Sequence, residues 1–488
     1  MPAEAAGVVG EGREMNGGDG ALWRWEAGAI ARAVRAGEVS ATEVVERHLE
    51  RIAEVNPEVN ALTRVLADAA REQAAGIDHR RAAGEDPGPL AGVPFTVKEN
   101  IAVGGVPTTH GARWFRDATA TADAPPVARL KAAGAIPVGR GNMPTLTLAG
   151  MHSRSELFGD TVNPWDPRVT PGGSSGGDGA AVAAGLAPLG LGNDSGGSVR
   201  IPAAFCGVTG LKPTEGRFPA DHRIGAEDPP LSAQTIPVDG PLARTVGDLR
   251  LAFEALAGPG ADPRDPRAVP VPTHGPDGGP VRVAVVADPG GRGVHPWVRE
   301  AVDTAASYLS DAGYAVTEVP DVPVHDEALE AYGRMIMTEF ALTWPSVRRI
   351  LGAGEDRYIE MSMARTAPVD LPEYLRLTGV RLTVRRAWAG FLAEYPLLLG
   401  PVFTSPPPAP GLESRDEEGH RAVGEAMRLC AVTSFVGVPA VAVPAGVWGG
   451  LPHGVQIIGQ AFREDRCLAA AAVVERGAGR LTPVGPLL

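Results

Sequence analysis

The apolar positions of this chain switch repeatedly between helical spacing and short solid runs, and that alternation is the first guide to its architecture. Ser40-x-x-Glu43 forms a capping box, and Val44, Val45, Leu49 and Ile52 follow at helical spacing, so a helix starts at Ser40. A second helical stretch is expected from Ala61 to Ala74, followed by a Gly/Pro-rich loop at Gly84–Pro89. Val93–Val97 reads as a short buried strand with Lys98 at its end. Val127–Ala133 reads as a helix and Ile136–Gly139 as a strand. The small-residue run Ala180–Ala184 predicts a short helix, and Pro188–Gly192 a strand. Val281–Val286, Trp297–Ala312 and Tyr314–Val319 form a strand–helix–strand unit. The uncharged stretch from Leu429 to Phe462 is broken by Pro439, Pro444 and Pro452, and reads as buried strands joined by turns. It is too interrupted for a membrane span, which wants about 20 predominantly apolar residues. Alternation of this kind predicts an α/β fold: one large domain with a mixed β-sheet core covered by helices on both faces.

Composition refines this picture at three points. The first twenty residues are rich in Gly, Ala and Glu without apolar periodicity, so residues 1–20 read as a disordered leader and 21–488 as the domain. The stretch 326–392 is mostly helical and holds Met335, Met337, Met361 and Met363 beside Phe340, Trp344 and Tyr358. An adaptable wall of a substrate pocket and a methionine-bearing core both fit it. The net charge of −13 opposes sequence-independent binding of nucleic acid, which is driven by neutralising phosphates. Cys206, Cys430 and Cys467 are too few and scattered for a disulfide framework or a zinc site, which points to the cytoplasm. The ten histidines show no metal-ligand spacing. No cofactor, metal, membrane or nucleic-acid partner is expected.

The unusual chemistry is concentrated between Thr170 and Arg200. There the chain runs Thr-Pro-Gly-Gly-Ser-Ser-Gly-Gly-Asp, crosses a small apolar element, and returns in Gly-Asn-Asp-Ser-Gly-Gly-Ser-Val-Arg. Glycines at this density let other atoms approach the backbone closely. The return brings Ser174 toward Ser198. Gly172-x-Ser174-x-Gly176 literally matches a nucleophile elbow, but the residues before it, 163–171, hold three prolines and no strand pattern. A phosphate-binding loop fits less well, because no Lys-Ser/Thr ending or dinucleotide fingerprint is present. Asp194 reads as a residue that fixes the second turn by hydrogen bonds, Arg200 as a structural ion-pair partner, and Cys206 as a buried thiol.

Nearly the whole chain after the leader resembles the amidase signature family. The resemblance is carried by Leu90-Ala-Gly-Val-Pro-Phe-Thr-Val-Lys98-Glu-Asn100, the Gly172–Arg200 segment and Phe205-Cys-Gly-Val-Thr-Gly-Leu-Lys-Pro-Thr214. Asp239-Gly-Pro-Leu-Ala-Arg244 and the segment from Gly437 to Gly459 also carry it. It implies hydrolysis of a carboxamide to a carboxylate plus ammonia or an amine. Ser198 would be the acyl-forming nucleophile, Ser174, held by a cis peptide bond, the bridge, and Lys98 the base. The backbone of Ser195, Gly196 and Gly197 would form the oxyanion hole. A small-molecule amide is the implied substrate, and a homodimer is the family's common arrangement. A biosynthetic amide hydrolase or acyl-transfer enzyme would use the same triad. So would an amidotransferase A-type subunit releasing ammonia from glutamine, although Met143-Pro-Thr-Leu146 lacks the acidic residue typical of that component. Asp178 and Asn193 stand where many members carry Ser or Gly, and Thr or Ser. The sequence assigns neither of them a role.

Overall fold

The computed structural model describes residues 22–225, 227–258, 260–276, 281–352 and 354–483. The expected leader lies outside them. Thirteen strands are described: β1 (Leu62–Val65), β2 (Pro94–Lys98), β3 (Ile136–Gly141), β4 (Arg154–Ser155), β5 (Gly159–Asp160), β6 (Leu189–Asp194), β7 (Thr209–Lys212), β8 (Val238–Ala243), β9 (Arg282–Val285), β10 (Ala315–Glu318), β11 (Leu397–Pro401), β12 (Ala440–Trp448) and β13 (Leu451–Gly459). β4 and β5 form a small separate hairpin. The other eleven make one sheet in the order β1-β3-β2-β6-β8-β7-β12-β13-β11-β9-β10. It is mixed: β3, β2 and β6 run parallel, as do β11, β9 and β10, while the strands between them pair antiparallel.

Alternation along the strands explains why helices cover both faces. Val283, Val285, Leu397 and Leu399 enter one hydrophobic cluster, whereas Ala284, Val286 and Leu398 enter another. Successive strand residues point to opposite faces, so each of these strands is buried twice. The first cluster takes in the helices Ala41–Val59, Gly176–Ala183, Arg200–Cys206 and Glu464–Ala478. The second takes in His325–Val347, Leu371–Glu394 and Arg428–Val436. This is the single α/β domain that the pattern predicts. In the middle of the sheet β12 and β13 close through Gly449 and Gly450, both at positive φ, the geometry of a two-residue hairpin turn.

Two expectations are corrected. The helix expected over Ala61–Ala74 is instead strand β1 followed by a helix from Ala67 to Ala82. Asn56 forces the change: its Oδ1 accepts from Leu62 N at 2.8 Å and its Nδ2 donates to Leu62 O at 2.9 Å. With both backbone groups of Leu62 occupied, and Asn60 at φ 49°, the chain leaves the preceding helix and pairs with β3. The stretch from Leu429 is not all strand. It begins in the helix Arg428–Val436, whose every residue is buried, and Gly437 ends that helix at φ 82°. A helix buried on every side has no solvent-facing polar stripe to give a 3.6-residue period, so it cannot be told from buried strand.

Candidate active site

Lys98 is the last residue of β2, and it shares a strand face with Thr96. Its side chain is fully buried, and its Nζ lies 2.6 Å from Ser174 Oγ and 2.5 Å from Asn193 Oδ1. Asn193 Nδ2 in turn donates to Asn100 Oδ1 at 3.1 Å, which fixes the orientation of the carboxamide. Its oxygen can only accept, so Nζ donates to Asn193. A neutral amine then keeps its lone pair for the Ser174 hydroxyl. Burial pushes the Lys98 ammonium down from the usual 10.5 to about 7, against the opposing pull of Asp178, Asp239 and Asp194. The group can therefore hold or release a proton near neutrality.

Ser174 is buried and follows a cis peptide bond after Gly173. Gly173 is required by space: a Cβ there would lie 2.3 Å from the Met151 carbonyl oxygen. Ser175 ties this turn to the next, because its N–H donates to the Ser198 carbonyl at 3.1 Å. The helix Gly176–Ala183 leaves from here, and β6 returns to the second turn. No described strand leads into Ser174, and its side-chain partner is a lysine, so the elbow reading lacks both its strand and its histidine.

Ser198 is partly exposed, in a turn clamped from three sides. Asp194 Oδ1 accepts from Gly197 N at 2.8 Å, and its Oδ2 from Val199 N at 3.2 Å. Arg200 donates to both carboxylate oxygens, at 2.9 and 3.0 Å, and also to Gln456, Ser434 and the Cys430 carbonyl. Burial alone would raise the Asp194 carboxyl, but the Arg200 guanidinium holds it well below the usual carboxylate range. Asp194 and Arg200 thus have the turn-fixing and ion-pair roles expected of them. On the other side the Tyr332 hydroxyl donates to the Ser195 carbonyl at 3.1 Å. In a trans peptide the N–H of Gly196 must point away from that carbonyl. Gly197 departs from expectation: its N–H is spent on Asp194 and is not offered to a ligand.

Other residues sort themselves. Cys206 is buried, donates to the Pro171 carbonyl, and has a thiol pushed up by burial. Met335 packs in the second hydrophobic cluster, which settles that methionine as core. The groups that close on the second turn are Tyr332 and Met427, on either side of where a Gly196 side chain would project. Neither was legible as a site residue: a lone Tyr and a lone Met in helical stretches carry no motif. Among the described residues no cluster of His, Cys, Asp or Glu could hold a metal ion, and no helix is long and apolar enough to cross a membrane.

A mixed sheet that brings a buried lysine against a cis-bonded serine defines a hydrolase of the amidase class. The amidase family model matches residues 43–468, and the chain belongs to that family, the amidase signature enzymes. It is 39% identical over 466 residues to an indoleacetamide hydrolase of Bradyrhizobium diazoefficiens, covering 95% of this chain and 88% of the relative. It is 36% identical over 478 residues to the A-type component of the glutamyl-tRNA(Gln) amidotransferase of Symbiobacterium thermophilum, covering 91% and 95%. The crystal structure of a bacterial aryl acylamidase of the amidase signature family superposes with a TM-score of 0.81 at 29% identity, covering 94% and 97%. The protein is accordingly an amidase, an enzyme that hydrolyses carboxamides of small molecules.

Proposed function

We propose that the reaction runs through an acyl-enzyme on Ser198, with Ser174 as bridge and neutral Lys98 as base. The Ser198 oxygen attacks the amide carbon while its proton passes to Ser174 and the Ser174 proton to Lys98 Nζ. The C–N bond then breaks, the proton returns along the same route to the leaving nitrogen, and ammonia or an amine departs. Water, deprotonated by the same relay, releases the carboxylate. The N–H groups of Ser195, Gly196 and Ser198, rather than Gly197, would hold the developing oxyanion. The observation that carries this reading is the 2.6 Å contact of buried Lys98 Nζ with Ser174 Oγ. A serine hydroxyl needs a base, and a lysine serves as one only where its charged form is disfavoured.

The substrate side is read from the Tyr332 ring and the Met427 thioether beside the Ser198 turn, Met427 meeting it with its terminal methyl and Tyr332 with its hydroxyl. Together with the indoleacetamide hydrolase and aryl acylamidase relatives, they favour an uncharged amide that carries an aromatic group. The amidotransferase relatives support a second reading, release of ammonia from glutamine to partner proteins. Three free, buried cysteines suit a reducing cytoplasm. The test is a fluorophosphonate probe with mass mapping, beside a panel of phenylacetamide, indoleacetamide and glutamine. Labelling of Ser198, loss of turnover in Ser198→Ala and a preference for the aryl amides are expected. A label on Ser174 would overturn the assignment of nucleophile, and glutamine turnover above the aryl amides would favour the second reading.

A further inference from the structure

We infer that Asp178 is a positioning residue of the base: a built-in counter-charge for the ammonium that forms on Lys98 during the relay. The inference rests on Lys98 being that base. Asp178 lies four residues beyond Ser174, in the first turn of the helix Gly176–Ala183, and is fully buried. Its Oδ1 accepts from Thr96 Oγ1 at 2.6 Å, and Thr96 stands two residues before Lys98 on the same strand face. Its Oδ2 has no protein hydrogen-bond partner among the described residues.

The sheet is cut away to receive this side chain. A Cβ at Gly141 of β3 would lie 2.4 Å from both carboxylate oxygens, and one at Gly190 of β6 would lie 3.1 Å from Asp178 Cβ. Two strands on either side of β2 thus carry glycine where Asp178 rests. A role confined to packing would be met by a smaller or neutral residue. A buried carboxylate with an unmatched oxygen is costly unless its charge is used.

Three carboxylates act on Lys98, and two of them are already committed. Asp194 is neutralised by Arg200 and lies near Lys212, while Asp239 Oδ1 meets His222 Nε2 at 3.1 Å. Asp178 exerts the largest electrostatic pull of the three. The one other cation acting on it, Arg140 of β3, donates to the Ile101 and Glu99 carbonyls and pairs with Glu99 at 3.5 Å. The charge of Asp178 is therefore left for Lys98. Burial pushes the Asp178 carboxyl up to about 7, against the Thr96 hydrogen bond and the pull of Lys98 and Arg140. It is thus ionised on the alkaline side of neutrality, where Lys98 is free to act as base. The proton coming from Ser198 by way of Ser174 stops on Nζ. During the relay Asp178 takes no proton and makes no bond, but lowers the energy of the ammonium until the proton returns to the leaving nitrogen.

The test is kcat and KM for phenylacetamide from pH 5 to 10 in the wild type, Asp178→Asn and Asp178→Ser, with Lys98→Met as control. Loss of an anion beside Lys98 disfavours the ammonium, so the acid limb of kcat/KM should move to lower pH by about one unit. The plateau of kcat should fall about tenfold or more, because proton acceptance is weakened, while KM stays within about twofold. Melting temperatures are read alongside, and Asp178→Ser carries the test should Asp178→Asn fail to fold. An acid limb that stays in place in a folded variant overturns the inference, whether or not the plateau falls. Survival of the limb in Lys98→Met would instead overturn the assignment of the base, so the two failures are distinguishable.

Discussion

Replacing Lys98 by Met removes the proposed base while keeping an unbranched chain of similar volume in a fully buried site. Burial lowers the Lys98 ammonium from the usual 10.5 to about 7. At pH 7 about half of the molecules then carry neutral lysine, against roughly one in three thousand for an unperturbed side chain. Wild-type kcat/KM should therefore climb close to tenfold per pH unit below about 7, and level off on the alkaline side. Positioned acid–base groups contribute about a hundred- to ten-thousand-fold, so Lys98→Met should lose turnover on that scale and its acid limb as well. Stability has its own pH dependence. The unfolded chain binds the Lys98 proton more tightly, so between about 7 and 10.5 folding stability rises with pH, and below about 7 the full burial penalty applies. Lys98→Met removes that penalty but leaves the buried Asp178 carboxylate without its counter-charge, so its melting temperature relative to the wild type should be highest near pH 7 and fall toward pH 10. Ammonia release from phenylacetamide across pH 5–10, beside calorimetric melting, measures both. Turnover within tenfold of wild type, with the acid limb retained, would refute the reasoning.

Tyr332→Phe removes the hydroxyl that orients the Ser195–Gly196 peptide and keeps the ring against Phe435. We expect kcat to fall by about tenfold, one well-aimed donor being worth more than that when lost outright, with melting unchanged; an unaltered kcat would show the turn to be held without it. Asp194→Asn leaves the buried Arg200 short of its counter-ion, and should destabilise the fold by about 3–5 kcal/mol in denaturant unfolding. A loss below about 1 kcal/mol would mean that Gln456, Ser434 and the Cys430 carbonyl suffice to hold the guanidinium.

The sheet was readable in the sequence where strands are short apolar runs bounded by turns, as in β2, β3, β6 and the β9–β10 unit. It was unreadable where a tertiary contact overrides local period. Nothing in Leu62-Thr-Arg-Val65 distinguishes a strand from a helix start until Asn56 is seen holding both backbone groups of Leu62. Arg428–Val436 failed for the opposite reason: buried on every side, it presents no polar stripe.

The candidate site divides in the same way. Lys98, Ser174 and Ser198 stand in the motifs that carry the resemblance to the amidase signature family, and it is that resemblance, not the residues taken alone, that marks them as candidates. The partners that set their chemistry have no such mark. Asn193 meets Lys98 from the end of β6, Asp178 accepts from Thr96 of the same strand out of a hollow made by glycines of two other strands, and Tyr332 arrives from a helix 137 residues beyond the carbonyl it holds. Each acts across the sheet or between layers, at a place fixed by strand order rather than by neighbours in the chain. Gly197 shows the converse. Its place in the Gly-Gly-Ser turn marks it as a donor, yet at φ 124° its N–H is turned onto Asp194, three residues back. A motif thus marks candidate residues, while the direction of each N–H, lone pair and charge is decided by the layers packed around it.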